Sequence, residues 1–259
     1  MELPIFQVDA FTSAVFSGNP AAVCPLDQWL PDATLQAIAA ENNLAETAFF
    51  VPDGDRFHLR WFTPVCEVEL CGHATLASAH ILFRELNQPG DTVRFDTLSG
   101  ELAVKRQGDR LFMDLPSRPP ANVNVHPELI AAVGGTPAEV LGARDYLVRY
   151  NSAAEVHALT PNMDVLKRLD RFAVIVTAPG TDCDFVSRFF APSKGIPEDP
   201  VTGSAHCTLI PYWANQLGKT ALHARQISAR GGELFCKLLG DRVEIAGHAA
   251  LFLKGQICI

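Results

Sequence analysis

At 259 residues the chain is long enough for one large domain or two small ones with a sizeable core, and 48% hydrophobic content excludes wholesale disorder. The formal charge is 21 − 29 = −8 with no basic run, which argues against nucleic acid and anionic membrane surfaces as partners. Small anionic ligands stay open, because the N-terminus of a helix holds an anion without any lysine or arginine.

In chain order, the pattern predicts a strand over residues 6–11 and a helix over 32–42 with Asp32 as its N-cap. Strands over 47–51 and 57–62 follow, and residues 65–71 alternate like another. "CGHATLASAHILF" then opens a helix at His73 that carries almost no charge until Arg84. A strand over 92–96 leads to a hairpin, "GELAVKRQGDRLFMD", with its turn at Gly108-Asp109. "PSRPPAN" from Pro116 is the most linker-like stretch. Beyond it, strands are expected over 146–150, 156–160, 172–177 and 185–190, then a helix from Ser204, a strand over 225–229 and a second hairpin, "GELFCKLLGDRVEIA". Pro211 lacks an N–H and should kink or end its helix between residues 207 and 210. Residues 250–254 read as one more strand, able to return to the first half.

The chain repeats itself. Gly100-Glu101-Leu102 and Gly108-Asp109-Arg110 recur as Gly232-Glu233-Leu234 and Gly240-Asp241-Arg242, both 132 residues later. Upstream, Gly72 matches Gly203 at an offset of 131, and Phe62-x-Pro64 matches Phe190-x-Pro192. Coincident Gly-Asp turns would account for the hairpins but not for the matched helix starts. The expected architecture is therefore α+β, in two pseudo-symmetric halves. Residues 1–117, with a C-terminal strand at about 249–259, form one half, and residues 118–248 the other. Each half is a barrel-like, mainly antiparallel sheet wrapped around a central helix that is apolar on every side and so buried on every side.

A buried helix still has unpaired N–H groups in its first turn, carrying a partial charge of roughly +0.5. Gly72 and Gly203, lacking a Cβ, let a ligand approach that backbone. If both mouths open into one cleft between the halves, they would bind a carboxylate or stabilise an oxyanion; the ordinary alternative is a glycine that only permits a tight strand-to-helix turn. Glu46, where a helix gives way to an apolar strand, is either an exposed charge or a partly desolvated general acid/base. His73 is either a neutral histidine facing the positive helix end or a cap of its own helix. Asp199, held extended by Pro200, could orient His73 or transfer a proton, or be a turn former. Ser204 offers a hydroxyl to a ligand or a cap to its helix.

Other chemistries fail on spacing. TGSAH is not a nucleophile elbow, and no nucleotide-binding glycine motif occurs, so nucleotide cofactors are not indicated. Cys66, Cys71 and His73 invite a zinc reading, but Cys66 and Cys71, five apart on a strand, point to opposite faces and no second ligand pair is evident, which argues against zinc. Cys71 corresponds to Thr202 in the repeat, which leaves a two-thiol racemase without its second base. The seven cysteines are scattered without CxxC, no apolar run spans a membrane, and the start has an acid and no basic region; a cytoplasmic setting is expected.

Five pieces, "VDAFTSAVFSGNPAAV" (8–23), "NNLAETAFF" (42–50), "CGHATLASA" (71–79), "EDPVTGSAH" (198–206) and the GELxxK-like hairpins, together resemble the PhzF-like (phenazine-biosynthesis-type) isomerase family, which shares the diaminopimelate epimerase fold. The resemblance implies catalysis in a cleft between two similar halves, without metal or organic cofactor, on a small carboxylate-bearing molecule. It implies Glu46 as principal acid/base, His73 and Asp199 as assisting residues, and Gly72, Gly203 and Ser204 as ligand-binding helix mouths. Asn19, in the Gly18-Asn19-Pro20 turn, is a further contact or a plain turn former. An epimerase with two bases, or a binding protein without catalysis, is the alternative reading. Edge strands and the family resemblance are compatible with a homodimer.

Overall fold

A computed structural model describes all 259 residues. Backbone contacts divide them into two compact units, Met1–Asp114 with Ala246–Ile259, and Leu115–Ile245.

The first unit contains strands β1 (Glu2–Ala10), β2 (Asn19–Pro25), β3 (Glu46–Asp53), β4 (Arg56–Phe62), β5 (Glu67–Val68), β6 (Thr92–Thr97) and β7 (Gly100–Gln107), and the start of β8 (Arg110–Pro116). Its helices are α1 (Asp32–Asn42) and α2 (Gly72–Arg84). β2 pairs parallel with β3, β3 antiparallel with β4, β4 with β5 antiparallel and with β6 parallel, and β6 antiparallel with β7. β1 lies antiparallel to β2 on one side. On its other side is the chain's last strand, which pairs Glu2 with Cys258 at one end and Ala10 with Ala249 at the other.

The second unit contains β9 (Glu139–Gly142), β10 (Tyr146–Arg149), β11 (Val174–Pro179), β12 (Phe185–Ala191), β13 (Ile196–Asp199), β14 (Ala221–Gln226) and β15 (Gly232–Leu239), and most of β16 (Arg242–Gly247). The strand that returns to the first unit is β17 (Ala249–Cys258). The helices are α3 (Leu129–Val133), α4 (Ala153–Ala158), α5 (Met163–Leu166) and α6 (Gly203–Leu217). β10 pairs parallel with β11, β11 antiparallel with β12, β12 with β13 antiparallel and with β14 parallel, and β14 antiparallel with β15. That is the first unit's order of pairings repeated strand for strand. The duplication inferred from residues is a duplication of topology, and the class is α+β.

The central helices are buried as their composition requires. In α2 every residue from His73 to Phe83 is buried except His80, and the helix packs against β1, β2, β3, β7 and β17. In α6, Gly203, residues 205–210 and residues 212–214 are buried, against β14 and β15. At about 25 cal/mol per Å² of apolar surface, two such helices are major sources of stability.

Four expectations need correction. Residues 156–160 are not a strand; α4 ends there. Ser152 caps it, its hydroxyl accepting from the Glu155 N–H at 3.2 Å and donating to the Glu155 carboxylate at 3.0 Å. This S-x-x-E box outweighs the local alternation. The strand expected over 225–229 is β14, which ends at Gln226. Asp32 is the first residue of α1 and not its N-cap, which is Pro31; the Asp32 side chain pairs with Arg60 instead. Finally, α6 runs through Pro211 to Leu217. Proline removes the N–H that would reach the Cys207 carbonyl, and the backbone N–H of Arg118 takes that carbonyl at 2.8 Å. The acceptor is satisfied from outside the helix.

Candidate active site

In the first unit, the strand pairing brings the polar residues together. Gly18, at φ +67°, turns the chain into β2, which begins at Asn19; Glu46 begins β3 and stands opposite Ala21 of β2 in parallel register. Asn19 and Glu46 therefore sit at one end of adjacent strands, and α2 starts beside them. Glu46 is 8% exposed, which settles the sequence alternative in favour of a buried carboxylate. His73 Nε2 lies 3.2 Å from Glu46 Oε2. The contact is an ion-pair distance without hydrogen-bond alignment, so Glu46 Oε2 is buried and makes no hydrogen bond. His73 Nδ1 meets Asn19 Nδ2 at 3.1 Å and Cys71 Sγ at 3.4 Å.

His73 does not cap its own helix. The N-cap of α2 is Cys71, in extended conformation and without a side-chain cap hydrogen bond. The Asn19 amide meets Nδ1 and the Glu46 carboxylate faces Nε2, so each ring nitrogen has a polar neighbour. Burial opposes protonation of the ring, but the Cys71 and Glu46 charges outweigh it and raise the His73 pKa well above 6.5. Burial and the Glu46 charge push the Cys71 thiol up to about 11, so the sulfur is a thiol at neutral pH. The charge that favours imidazolium is therefore that of Glu46. The expectation of a histidine kept neutral by the helix end is corrected: a carboxylate at 3.2 Å outweighs a partial charge of about half a unit.

In the second unit, the N-cap of α6 is Thr202, again without a side-chain cap of its own helix. Its hydroxyl donates instead to Asp199 Oδ2 at 2.5 Å. Gln226 at the end of β14 clamps the pair: its amide nitrogen donates to the Asp199 carbonyl at 2.8 Å and to Thr202 Oγ1 at 3.1 Å, and its oxygen accepts from the Thr202 N–H at 2.9 Å. Asp199, Thr202 and Gln226 are all buried. Ser204 is no cap either; its hydroxyl accepts from Arg144 Nη2 at 3.1 Å. The same guanidinium pairs with buried Asp145 at 3.0 Å and lies over the Phe172 ring at 4.4 Å.

Glu46, His73, Asn19 and Gly72 thus gather in the first unit, and Asp199, Gly203 and Ser204 in the second. Sequence reasoning missed Gln226 and Arg144, which reach the α6 mouth from other elements with no motif of their own. Thr202 had a signal, as the counterpart of Cys71 in the repeat.

The comparison with known proteins is decisive at the family level. The sequence model of the PhzC–PhzF family, described as "Phenazine biosynthesis-like protein", matches residues 8–255. The chain belongs to the PhzC–PhzF family. Among its relatives is a Pseudomonas aeruginosa protein described as "uncharacterized isomerase", 54% identical over 258 residues and covering 99% of both chains. A crystal structure of a PhzF-family protein of Enterococcus faecalis superposes with a TM-score of 0.98 at 47% identity, covering 100% of each chain. At the level of fold alone, a hydroxyproline epimerase of Agrobacterium vitis matches with a TM-score of 0.63 at 10% identity, over 99% of this chain and 92% of that one. The PhzF-like chain is accordingly an enzyme of the isomerase class. No helix in it is long and apolar enough to cross a membrane.

Proposed function

We propose that this PhzF-like isomerase moves a proton between carbons of a small carboxylate-bearing metabolite, with Glu46 as the acid/base and no metal or organic cofactor. The observation that supports this most is the buried Glu46 carboxylate beside His73 at an uncapped helix mouth. Such a carboxylate would take a proton from carbon next to a carbonyl or an unsaturated system and return it to another carbon. His73, which Glu46 biases towards imidazolium, would supply or stabilise the charge that develops as the proton leaves. Each helix mouth, at Gly72 in the first unit and at Gly203 in the second, is a candidate carboxylate-binding site, with the Ser204 hydroxyl as a further donor at the second. Asp199, fixed by Thr202 and Gln226, is assigned the second proton-handling role, and Asn19 sets the His73 ring.

The epimerase reading needs two bases on opposite faces of one carbon. Thr202 stands in the second unit where Cys71 stands in the first, so a symmetric thiol pair is disfavoured by residue chemistry.

The test uses Glu46→Gln against a panel of small cyclic and acyclic carboxylates in deuterated solvent. Turnover should drop by at least about 10²-fold, the usual contribution of general acid/base catalysis. Deuterium should appear at a carbon other than the one that lost hydrogen. Wild-type turnover in Glu46→Gln removes the assignment; exchange with inversion at the original carbon transfers it to the epimerase reading.

A further inference from the structure

In the first unit, a cavity of about 270 Å³ opens beside the last turns of α2. His80, Phe83 and Arg84 of α2, Arg106 of β7, Asp109 of the β7–β8 turn and His248 before β17 line it. At 1.5 Å per residue, His80 and Arg84 stand roughly 10 and 16 Å along the axis from His73, so this is not the α2 mouth. With both histidines neutral, the wall carries two guanidinium charges against one carboxylate, a net of 2 − 1 = +1, in a chain whose formal charge is −8.

Neither arginine is engaged in an ion pair. The acid that follows Arg84, Glu85, pairs with Lys254 at 2.8 Å instead. The Arg106 guanidinium lies 4.6 Å over the Phe83 ring, and its Nη2 donates to the Gly90 carbonyl at 3.1 Å. Those contacts use one of its five N–H donors and fix the plane of the rest. Asp109 meets His248 Nε2 at 3.3 Å, but its side chain is 78% exposed, and a pair so open to water is weak. Burial and the Arg84 charge push the His80 pKa down to about 4, so near neutral pH its ring is uncharged and still offers one donor nitrogen. The second unit lacks this set. At the offsets of 131 and 132 that match the halves, His80, Phe83, Arg84 and Arg106 correspond to Pro211, Ala214, Asn215 and Leu238, while the Gly-Asp turn recurs. The hairpin therefore does not require the cations. An arginine in the last turn of α2 suits the helix's negative end, but that accounts for Arg84 alone.

We propose that this cavity binds a small phosphate-bearing anion, free phosphate or a phosphate monoester, between Arg84 and Arg106, with the His80 ring as a further donor. A tetrahedral phosphate offers three or four oxygens to donors arriving from separate elements, whereas a carboxylate offers two in one plane. The volume lies just below the roughly 300–1,000 Å³ of pockets for drug-sized ligands, which limits the occupant to a small molecule. The site is independent of the reaction proposed above.

Full-length protein titrated with inorganic phosphate and with glycerol phosphate, at constant ionic strength, tests the site by calorimetry and by nitrogen-15 NMR of the histidine rings. Binding should saturate below about 10 mM, as a dissociation constant of about 1 mM or less requires, and should shift the His80 and His248 resonances. Arg84→Gln and Arg106→Gln should each weaken it at least about tenfold, the lower end for a hydrogen bond to a charged group, with folding checked by circular dichroism. If Arg106→Gln does not fold, the exposed Arg84→Gln decides alone. Tighter binding of the ester assigns the cavity to a phosphorylated metabolite; equal or tighter binding of phosphate assigns it to the free ion. The absence of saturation, the same shifts with chloride, a response confined to His73, or unchanged affinity in Arg84→Gln overturns the site.

Discussion

His206 donates from Nδ1 to the carbonyl oxygen of Thr202 at 2.8 Å, four residues back along α6. Thr75 makes the same reach in α2, its hydroxyl donating to the Cys71 carbonyl at 2.6 Å. The two buried helices therefore tie down the N-cap residue in the same way with different side chains. The histidine has a second nitrogen, Nε2, which is buried and makes no hydrogen bond.

That difference predicts a difference in acid sensitivity. Burial lowers the His206 pKa from 6.5 to about 4, so the folded protein resists a proton that the unfolded chain accepts. Stability from this residue is present above pH 6.5 and is lost as pH falls from 6.5 to about 4. His206→Thr, copying Thr75, should cost about 1–3 kcal/mol at neutral pH through lost packing against Phe185. Its melting temperature should then fall less than that of wild type between pH 6.5 and 4. Calorimetry across that range checks both parts; parallel curves would remove His206 as the acid-labile group.

His73 runs the opposite way. Cys71 and Glu46 raise its pKa against the effect of burial, so its contribution is complete below 6.5 and is lost as pH rises through the raised value. In Glu46→Gln the charge is gone and burial remains. The His73 pKa should then drop below its wild-type value, and the difference in stability between the two proteins should shrink as pH rises. Carbon-13 NMR of the labelled imidazole reads the pKa directly. An unchanged titration would mean that Glu46 does not set it.

The fold and half of the candidate site were legible because repetition and periodicity are local. The Gly-Asp hairpins, the two charge-free helices and the Gly72–Gly203 match each occupy a short window, and the structure repeats their pairings. What was not legible depends on groups distant in sequence. Pro211 reads as a helix breaker because the donor that satisfies Cys207, the Arg118 N–H, belongs to the linker-like stretch. Arg144 and Gln226 act on Ser204 and Thr202 from neighbouring elements, and nothing beside them in the sequence marks that. The charge state of His73 was misread because the helix end is visible in sequence, whereas a carboxylate 27 positions earlier is not visibly its neighbour.

Gln226 is predicted to matter for stability as much as for the site. Replacing it with leucine leaves the Thr202 N–H and the Asp199 carbonyl without the side chain that now bonds both. Each buried group stripped of its partner costs about 1–3 kcal/mol, so a total loss of about 2–4 kcal/mol is expected. Urea denaturation with an unchanged slope would measure it. A loss under about 0.5 kcal/mol would show that water or another group replaces the amide without penalty.

Gly18 and Gly108 separate two reasons for needing glycine. Both have positive φ, +67° and +63°. At Gly108 an added methyl group would meet nothing within 4 Å, so Gly108→Ala should carry only the left-handed backbone cost, about 1–2 kcal/mol. At Gly18 a Cβ would stand 2.2 Å from the Ala10 carbonyl and 2.6 Å from Thr12 Cγ2. Backbone must move there, and the next residue is Asn19, which holds His73 Nδ1 at 3.1 Å. Gly18→Ala should therefore cost clearly more than Gly108→Ala, at least about 3 kcal/mol, and should shift the His73 ring resonances while Gly108→Ala leaves them in place. Equal stability losses, or an unshifted His73 signal in Gly18→Ala, would show that the turn before β2 does not set the position of Asn19.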